Sequence, residues 1–252
     1  MITWMAARAW YHSGQAAVCD VVEPWAHGTV VRATSYPDYW DFNVVRVERD
    51  PTMSVDALVA FADEALVGLA HRRVDFELAD AAAPLRPSFE ALGWRTTRLV
   101  WMRHEAEPPP GPETPVEEVA YDAVHDLRVA WHREDFPDHE LGTGQVDDFF
   151  AQARAVALRR GARVLAVRDA GAPVAFALLE HDGHSAEIAQ VYVHPGHRGR
   201  GIGTALTRAA IDAAGAVRDL WIVADDEGRP KALYRRLGFR PAWAAVEALR
   251  LP

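Results

Sequence analysis

The sequence predicts an α/β fold of the α+β kind, built as two domains that each carry a mixed, mostly antiparallel sheet flanked by helices. Three observations lead there. Strand-like runs at Val164–Val167, Pro173–Glu180 and Ser185–Val193 are joined by the tight turns Asp169-Ala170-Gly171 and His181-Asp182-Gly183-His184, as in an antiparallel meander. The third run enters a glycine-rich basic turn, Arg198-Gly199-Arg200-Gly201-Ile202-Gly203-Thr204, that opens a helix. A stretch near the end, Tyr234-Arg235-Arg236-Leu237-Gly238-Phe239, echoes Phe89-Glu90-Ala91-Leu92-Gly93-Trp94 in the first half, a weak internal repeat.

The remaining elements follow from local pattern. In the first half, Thr29–Ala33, Phe42–Val47, Val74–Leu78 and Arg95–Arg103 read as strands, and Val55–Ala70 has helical apolar periodicity. In the second half, Val116–Ala120 reads as a strand and Asp122–Glu134 and Val146–Arg160 as helices. Helix Ile202–Ala216, strand Leu220–Ala224, helix Pro230–Leu237 and strand Phe239–Leu249 follow, with Gly238 as the helix stop. Five prolines lie in the nine residues Glu107-Pro108-Pro109-Pro110-Gly111-Pro112-Glu113-Thr114-Pro115. Such a stretch continues neither helix nor central strand and reads as a stiff linker. The expected domains are therefore 1–107 and 116–252, with 108–115 between them.

Composition narrows the function classes. The chain has 252 residues, half of them hydrophobic, with nine Trp, enough for a sizeable core. No run approaches the roughly 18 apolar residues of a membrane span, and Met1–Met5 lacks the charged and apolar regions of a signal peptide. A single cysteine, Cys19, excludes an internal disulfide, suits a reducing cytoplasm and reads as a small buried hydrophobe. The net charge of −9 argues against nucleic acid as main partner and is compatible with a cationic one. A cytoplasmic protein without membrane or nucleic-acid partner, monomeric or homodimeric, is the expectation.

The glycine-rich turn carries the chemistry. A strand running into such a turn at a helix N-terminus presents a nest of backbone N–H groups to a phosphate or pyrophosphate, helped by the helix dipole and two arginines. Gly196 and Gly201 have the Walker A gap, but Ile202-Gly203 stand where Lys and Ser/Thr are required. Gly199 and Gly201 are followed by Thr204 where a dinucleotide fingerprint needs its third glycine. The eleven His form no zinc spacing, whether His181 with His184 or His132 with His139, so no metal is expected. A Gly-x-Ser-x-Gly elbow is also absent from the sequence.

At these residues the C-terminal half resembles the GNAT superfamily of N-acetyltransferases. Arg198-Gly199-Arg200-Gly201-Ile202-Gly203 matches its acetyl-CoA signature. Val191-Tyr192-Val193-His194-Pro195 looks like its fourth strand and Val-x-Pro ending, and Tyr234-Arg235-Arg236-Leu237-Gly238-Phe239 like its Tyr-x-x-x-Gly-Phe segment. The two-copy layout is similar to tandem GNAT proteins of actinobacterial type. The first copy has Glu48-Arg49-Asp50-Pro51-Thr52 where the glycine turn would be, and reads as degenerate.

The resemblance implies acetyl-CoA as cosubstrate and a primary amine, on a small molecule or peptide, as acceptor. Arg198, Gly199, Arg200, Gly201, Ile202, Gly203 and Thr204 would wrap the pyrophosphate. Val191, Tyr192 and Val193 would line the pantetheine arm and hold the thioester carbonyl. Amine attack needs a base. Glu187, eleven positions before Arg198, is the first candidate and Glu180 the reserve. Tyr234 matches the tyrosine that protonates the leaving thiolate. Glu227 stands seven positions before Tyr234, where the family often has Asn, which puts that pantetheine contact in doubt. The carboxylates of Glu134-Asp135-Phe136-Pro137-Asp138-His139-Glu140 would attract a cationic acceptor, and Tyr36-Pro37-Asp38-Tyr39-Trp40 would either wall its pocket or pack inside. The competing expectation is a non-catalytic CoA sensor or scaffold with the same fold.

Overall fold

A computed structural model of the chain describes residues 3–111, 114–137 and 143–251. The first half holds α1 (Thr3–Ala16), β1 (Val21–Trp25), β2 (Gly28–Arg32), β3 (Val44–Val47), α2 (Val55–Ala65), β4 (Arg72–Phe76), α3 (Ala79–Ala82), α4 (Arg86–Ala91) and β5 (Arg95–His104). The second holds β6 (Glu117–Val119), α5 (His125–Asp135), α6 (Thr143–Arg159), β7 (Arg163–Asp169), β8 (Ala172–His181) and β9 (Ser185–Val193). It continues with α7 (Ile202–Ala214), β10 (Asp219–Asp225), α8 (Pro230–Arg236) and β11 (Phe239–Arg250).

Among the described residues, the strands join one mixed sheet of eleven, in the order β1-β2-β3-β4-β11-β5-β10-β9-β8-β7-β6. Only β3–β4 and β9–β10 are parallel pairs; the other neighbours are antiparallel. The last strand of each half is exchanged. β11 pairs with β4 of the first half, and β5 pairs with β10 of the second. The two exchanged strands run antiparallel along each other at the centre.

Side-chain alternation along these strands gives the sheet two apolar faces. On one, α7 packs Ile202, Leu206 and Ala210 against Val100, Met102 and Ala177. Beside it, α2 and α4 pack Leu58 and Phe89 against Val74 and Val246. On the other, α5 covers Phe176 and Leu178, and α1 sets Ala7 and Trp10 against Trp101, Trp221 and Trp243. Trp101 and Trp243, on the two exchanged strands, lie 4.4 Å apart between ring centroids. The seam between the halves is thus an indole cluster.

The repeat read from sequence has a structural counterpart. Gly93 and Gly238 end α4 and α8 with φ of 80° and 92°, and their N–H groups bond Glu90 O and Arg235 O at 3.0 and 3.3 Å. Some boundaries differ from expectation. α2 stops at Ala65 rather than Ala70 because the chain turns through Gly68, whose φ is 87°. β4 lies two residues earlier than predicted, at Arg72–Phe76. The segment before Thr29 holds α1 and β1, which the apolar pattern did not mark.

Candidate active site

The third strand of the meander, β9, is irregular where the site forms. Along β8, Phe176 pairs with Tyr192 and Leu178 with Ala189, so Gln190 and Val191 together stand opposite Ala177. That is a β-bulge, and Gln190 has φ of 52°. On its other edge β9 pairs with β10 only from Ser185 to Ile188, while β10 runs on to Asp225 beside β5. Beyond Ile188 the two parallel strands part, leaving a wedge with unpaired backbone on its β9 side.

A cavity of about 620 Å³ opens at this wedge. Val191 and Gln190 from β9, Asp225 from β10 and Tyr234 from α8 line it, together with Glu180 and Glu187. The expected base candidates, the expected acid and the first expected pantetheine residue thus line one cavity. Tyr192 and Val193 do not. The Tyr192 side chain is buried under α5 and donates its hydroxyl to Glu134 at 3.2 Å, while Val193 packs with the α7 side of the sheet. Strand alternation turns Tyr192 away from the face of Val191, whereas Val193, two residues on, stays on that face and packs toward α7.

Glu180 and Glu187 pair across β8 and β9. Glu180 is buried and ion-paired to Arg160 at 2.6 Å. Burial, opposed by Arg160 and assisted by the charge of Glu187, pushes its carboxyl up to about 7. Glu187 is half-buried and accepts a hydrogen bond from the Trp10 indole of α1. Tyr234 is 5% exposed, and burial pushes its hydroxyl well above the ordinary phenol value. The phenol therefore stays protonated at neutral pH, with its O–H available to donate.

The glycine turn lies outside the cavity wall, at the start of α7. Gly201 is the N-cap with φ of 80°, and no side chain caps the helix there. The first turn of such a helix leaves backbone N–H groups without intrahelical partners. Gly199 also has positive φ, 77°, and a Cβ there would meet nothing within 4 Å, so the surface above the turn is open. This donor set, with its free cap and open approach, fits a pyrophosphate. Arg200 is exposed; Arg198 is held by Glu134 at 2.7 Å and donates Nε–H to the Val193 carbonyl at 2.8 Å.

The first half contributes more to the site than its sequence signalled. Tyr39 and Trp40 are buried against Phe149 of α6 and also line the cavity. Of the acidic stretch, Asp135 lines the cavity with its carboxyl raised by burial, and Glu134 is taken by Arg198; Asp138, His139 and Glu140 lie outside the described residues. The cavity wall carries six carboxylates against four arginines. Glu227 is bound by Arg86 of α4 through two contacts of 2.7 and 3.0 Å.

Two other expectations meet the structure here. Cys19 is partly buried, its thiol pushed up to about 12 by burial and directed to Phe42 O at 3.3 Å. His12, Glu48 and Glu77 bring three ligand atoms within 4.8 Å of one another, a grouping no spacing rule marked. Arg8 and Arg46 already neutralise its two carboxylates, so a cation would have to displace them. Among the described residues no helix is long and apolar enough to cross a membrane.

Residues 121–239, just under half of the chain, match the model of the Acetyltransferase (GNAT) family, whose members use acetyl-CoA. Mycothiol acetyltransferase of Nocardia farcinica is 40% identical over a stretch covering 30% of this chain and 30% of the relative. The matched stretch thus spans under a third of that protein. Among solved structures, a functionally unknown conserved protein from Staphylococcus epidermidis has a TM-score of 0.66 at 16% identity, covering 92% of this chain and 94% of that one. A GCN5-related N-acetyltransferase from Kribbella flavida has 0.58 at 19%, covering 98% and 95%. A tandem GNAT protein from the clavulanic acid biosynthesis pathway has 0.50 at 18%, covering 82% and 74%. At these identities the likeness is one of fold, and it extends over both halves of the chain.

Proposed function

We propose that the chain is an acyl-CoA-dependent N-acetyltransferase that moves an acetyl group from acetyl-CoA to a primary amine by direct attack. The observation that carries this reading is the wedge between β9 and β10, with Glu187 and Tyr234 lining the cavity that opens there and the uncapped start of α7 beside it. The α7 turn binds the pyrophosphate through Gly199–Thr204. The unpaired β9 backbone takes the pantetheine arm and the acyl carbonyl. Glu187 removes the ammonium proton, with Glu180 opposite it as the alternative acceptor. Tyr234 hands its proton to the departing sulfur. The acidic, aromatic cavity suits a cationic amine.

The two-copy reading divides the chain at the Pro-rich stretch, with last strands exchanged between units 1–107 and 116–252. Three contrasts support an N-terminal copy without its own site. Where Gly201 leaves α7 uncapped, Ser54 caps α2 by accepting from Ala57 N–H at 3.2 Å. β3 stays paired with β4 to its last residue, Val47 to Phe76, with no wedge. Phe89 holds the repeat position of Tyr234 and has no hydroxyl to give.

Isothermal titration with acetyl-CoA, repeated on Gly201→Glu and Gly203→Glu, tests the reading. Binding by the parent protein and its loss in both variants is the expected result, followed by free-thiol release in an amine-library screen. A folded protein that binds no acetyl-CoA would remove the proposal. A protein that binds but turns over no amine would favour the CoA sensor or scaffold, the reading to which Glu227 at the usual Asn position lends support.

A further inference from the structure

The bulge in β9 holds Gln190 at φ of 52°, a backbone conformation that a residue with a side chain keeps only where its surroundings impose it. The surroundings here converge on one side chain. Arg128 of α5 is 4% exposed and donates from Nη1 to the Gln190 side-chain carbonyl. Its guanidinium lies over the rings of Tyr121 and Phe176, 4.8 and 5.8 Å from their centroids. Phe176 is the β8 residue that resumes the ladder just beyond the bulge, opposite Tyr192. Arg128 thus rests on one flank of the bulge and grips its apex. A buried guanidinium is costly to keep unless its charge is compensated, and this one is placed to fix a strained turn of backbone at the reaction centre.

We infer that Arg128 is a positioning residue, latching the β9 bulge through Gln190 so that its unpaired backbone receives the acyl carbonyl of the thioester. The inference rests on the acetyltransferase reading. With the latch closed, the bulge keeps Gln190 and Val191 out of the pairing with β10, and one of their N–H groups donates to the acyl oxygen. Free CoA lacks that oxygen, so the latch shows as a preference for acetyl-CoA over CoA, on the scale of one hydrogen bond, about tenfold in affinity.

Calorimetric titration with acetyl-CoA and with CoA reads this without any acceptor. The parent protein should prefer acetyl-CoA, and Arg128→Met should lose the preference while its affinity for CoA changes less than about twofold. Because Arg128→Met removes a buried group, two variants that keep Arg128 complete the test. Gln190→Ala should lose the preference. Gln190→Gly, which adopts positive φ freely, should retain it, and should also restore it in the Arg128→Met background. A purely structural arginine would instead lower both affinities together, and glycine would rescue neither. Retention of the preference in Arg128→Met or Gln190→Ala, or its equal loss in Gln190→Ala and Gln190→Gly, overturns the latch. A parent protein that binds both ligands equally also overturns it but leaves the acetyltransferase standing; one that binds neither overturns both.

Discussion

Glu180 and Glu187 are cross-strand partners, directly opposed on β8 and β9 and both on the cavity wall. Like charges so placed repel. The fold manages the pair unequally. Glu180 is buried with Arg160 beside it and its carboxyl raised to about 7, whereas Glu187 is more open and takes the Trp10 indole N–H. Burial makes Glu180 the member that holds a proton more readily. On the proposed reading Glu187, the less buried of the two, is the base that takes the proton of an entering ammonium.

Glu187→Gln should therefore lower turnover by about 10²-fold or more at neutral pH, with acetyl-CoA affinity unchanged. Thiol release with an accepted amine, beside calorimetry, checks it. Full turnover in this variant would move the base to Glu180 or to water.

Glu180 also makes a stability prediction with a definite sign. Its folded value, about 7, lies above the ordinary 4.5, so the folded state binds its proton more tightly than the unfolded chain does. The stabilisation is complete below pH about 4.5 and is lost as pH rises through about 7, on the order of 3 kcal/mol in all. Glu247, raised likewise to about 7 by burial, slopes the same way. Glu180→Gln should remove Glu180's share of the decline, making urea midpoints at pH 5 and pH 7.5 differ less than in the parent. Unfilled pairing of Arg160 lowers both midpoints together and leaves the comparison intact.

Tyr234→Phe deletes one buried hydroxyl and keeps the ring against Phe239. Turnover should fall by about a hundredfold, while acetyl-CoA binding and the thermal midpoint stay close to the parent's. Undiminished turnover would remove Tyr234 from thiolate protonation.

The C-terminal half was legible because its signals are local. Strand alternation, Asp182-Gly183 in a hairpin and Gly201 at a helix start each depend on a few neighbours, and Ser185–Val193 matches its predicted bounds. The exchange of β5 and β11 was not legible, because a strand's apolar pattern does not name its partner. The contributions of Trp10, Arg86 and Arg128 were hidden for the same reason. Each reaches a residue 62 or more positions away, and no spacing rule extends so far. Glu227 shows the gain from combining both sources: a departure from the family pattern in sequence becomes an ion pair to the other half in structure.

On the proposed reading, the contact between Trp10 and Glu187 makes the first half part of the reaction site. Trp10→Phe keeps an aromatic ring in the Trp101–Trp221–Trp243 cluster and deletes only the N–H. Turnover should fall by about tenfold, the weight of one hydrogen bond to a charged group, with acetyl-CoA affinity unaffected. Double substitution with Glu187→Gln should add little to Glu187→Gln alone, since the indole acts through that carboxylate. Independent, multiplying losses would show that Trp10 serves the site by some other route.

Gly93 and Gly238 give a matched test of the seam between the halves. Both end a short helix at positive φ, so alanine carries a similar backbone strain at each, about 1 kcal/mol. Their surroundings differ. A Cβ on Gly93 meets nothing within 4 Å, whereas one on Gly238 would lie 1.9 Å from the Ala106 carbonyl oxygen. The Gly238 carbonyl also accepts from Glu105 N–H at 3.0 Å, where the end of β5 passes the start of β11. Gly238→Ala must push these exchanged strands apart and should cost several times what Gly93→Ala costs, about 3 kcal/mol or more. Urea unfolding of the two variants decides it. Equal losses would mean that the crossing of β5 and β11 yields easily and that the central pair is held mainly by its indoles.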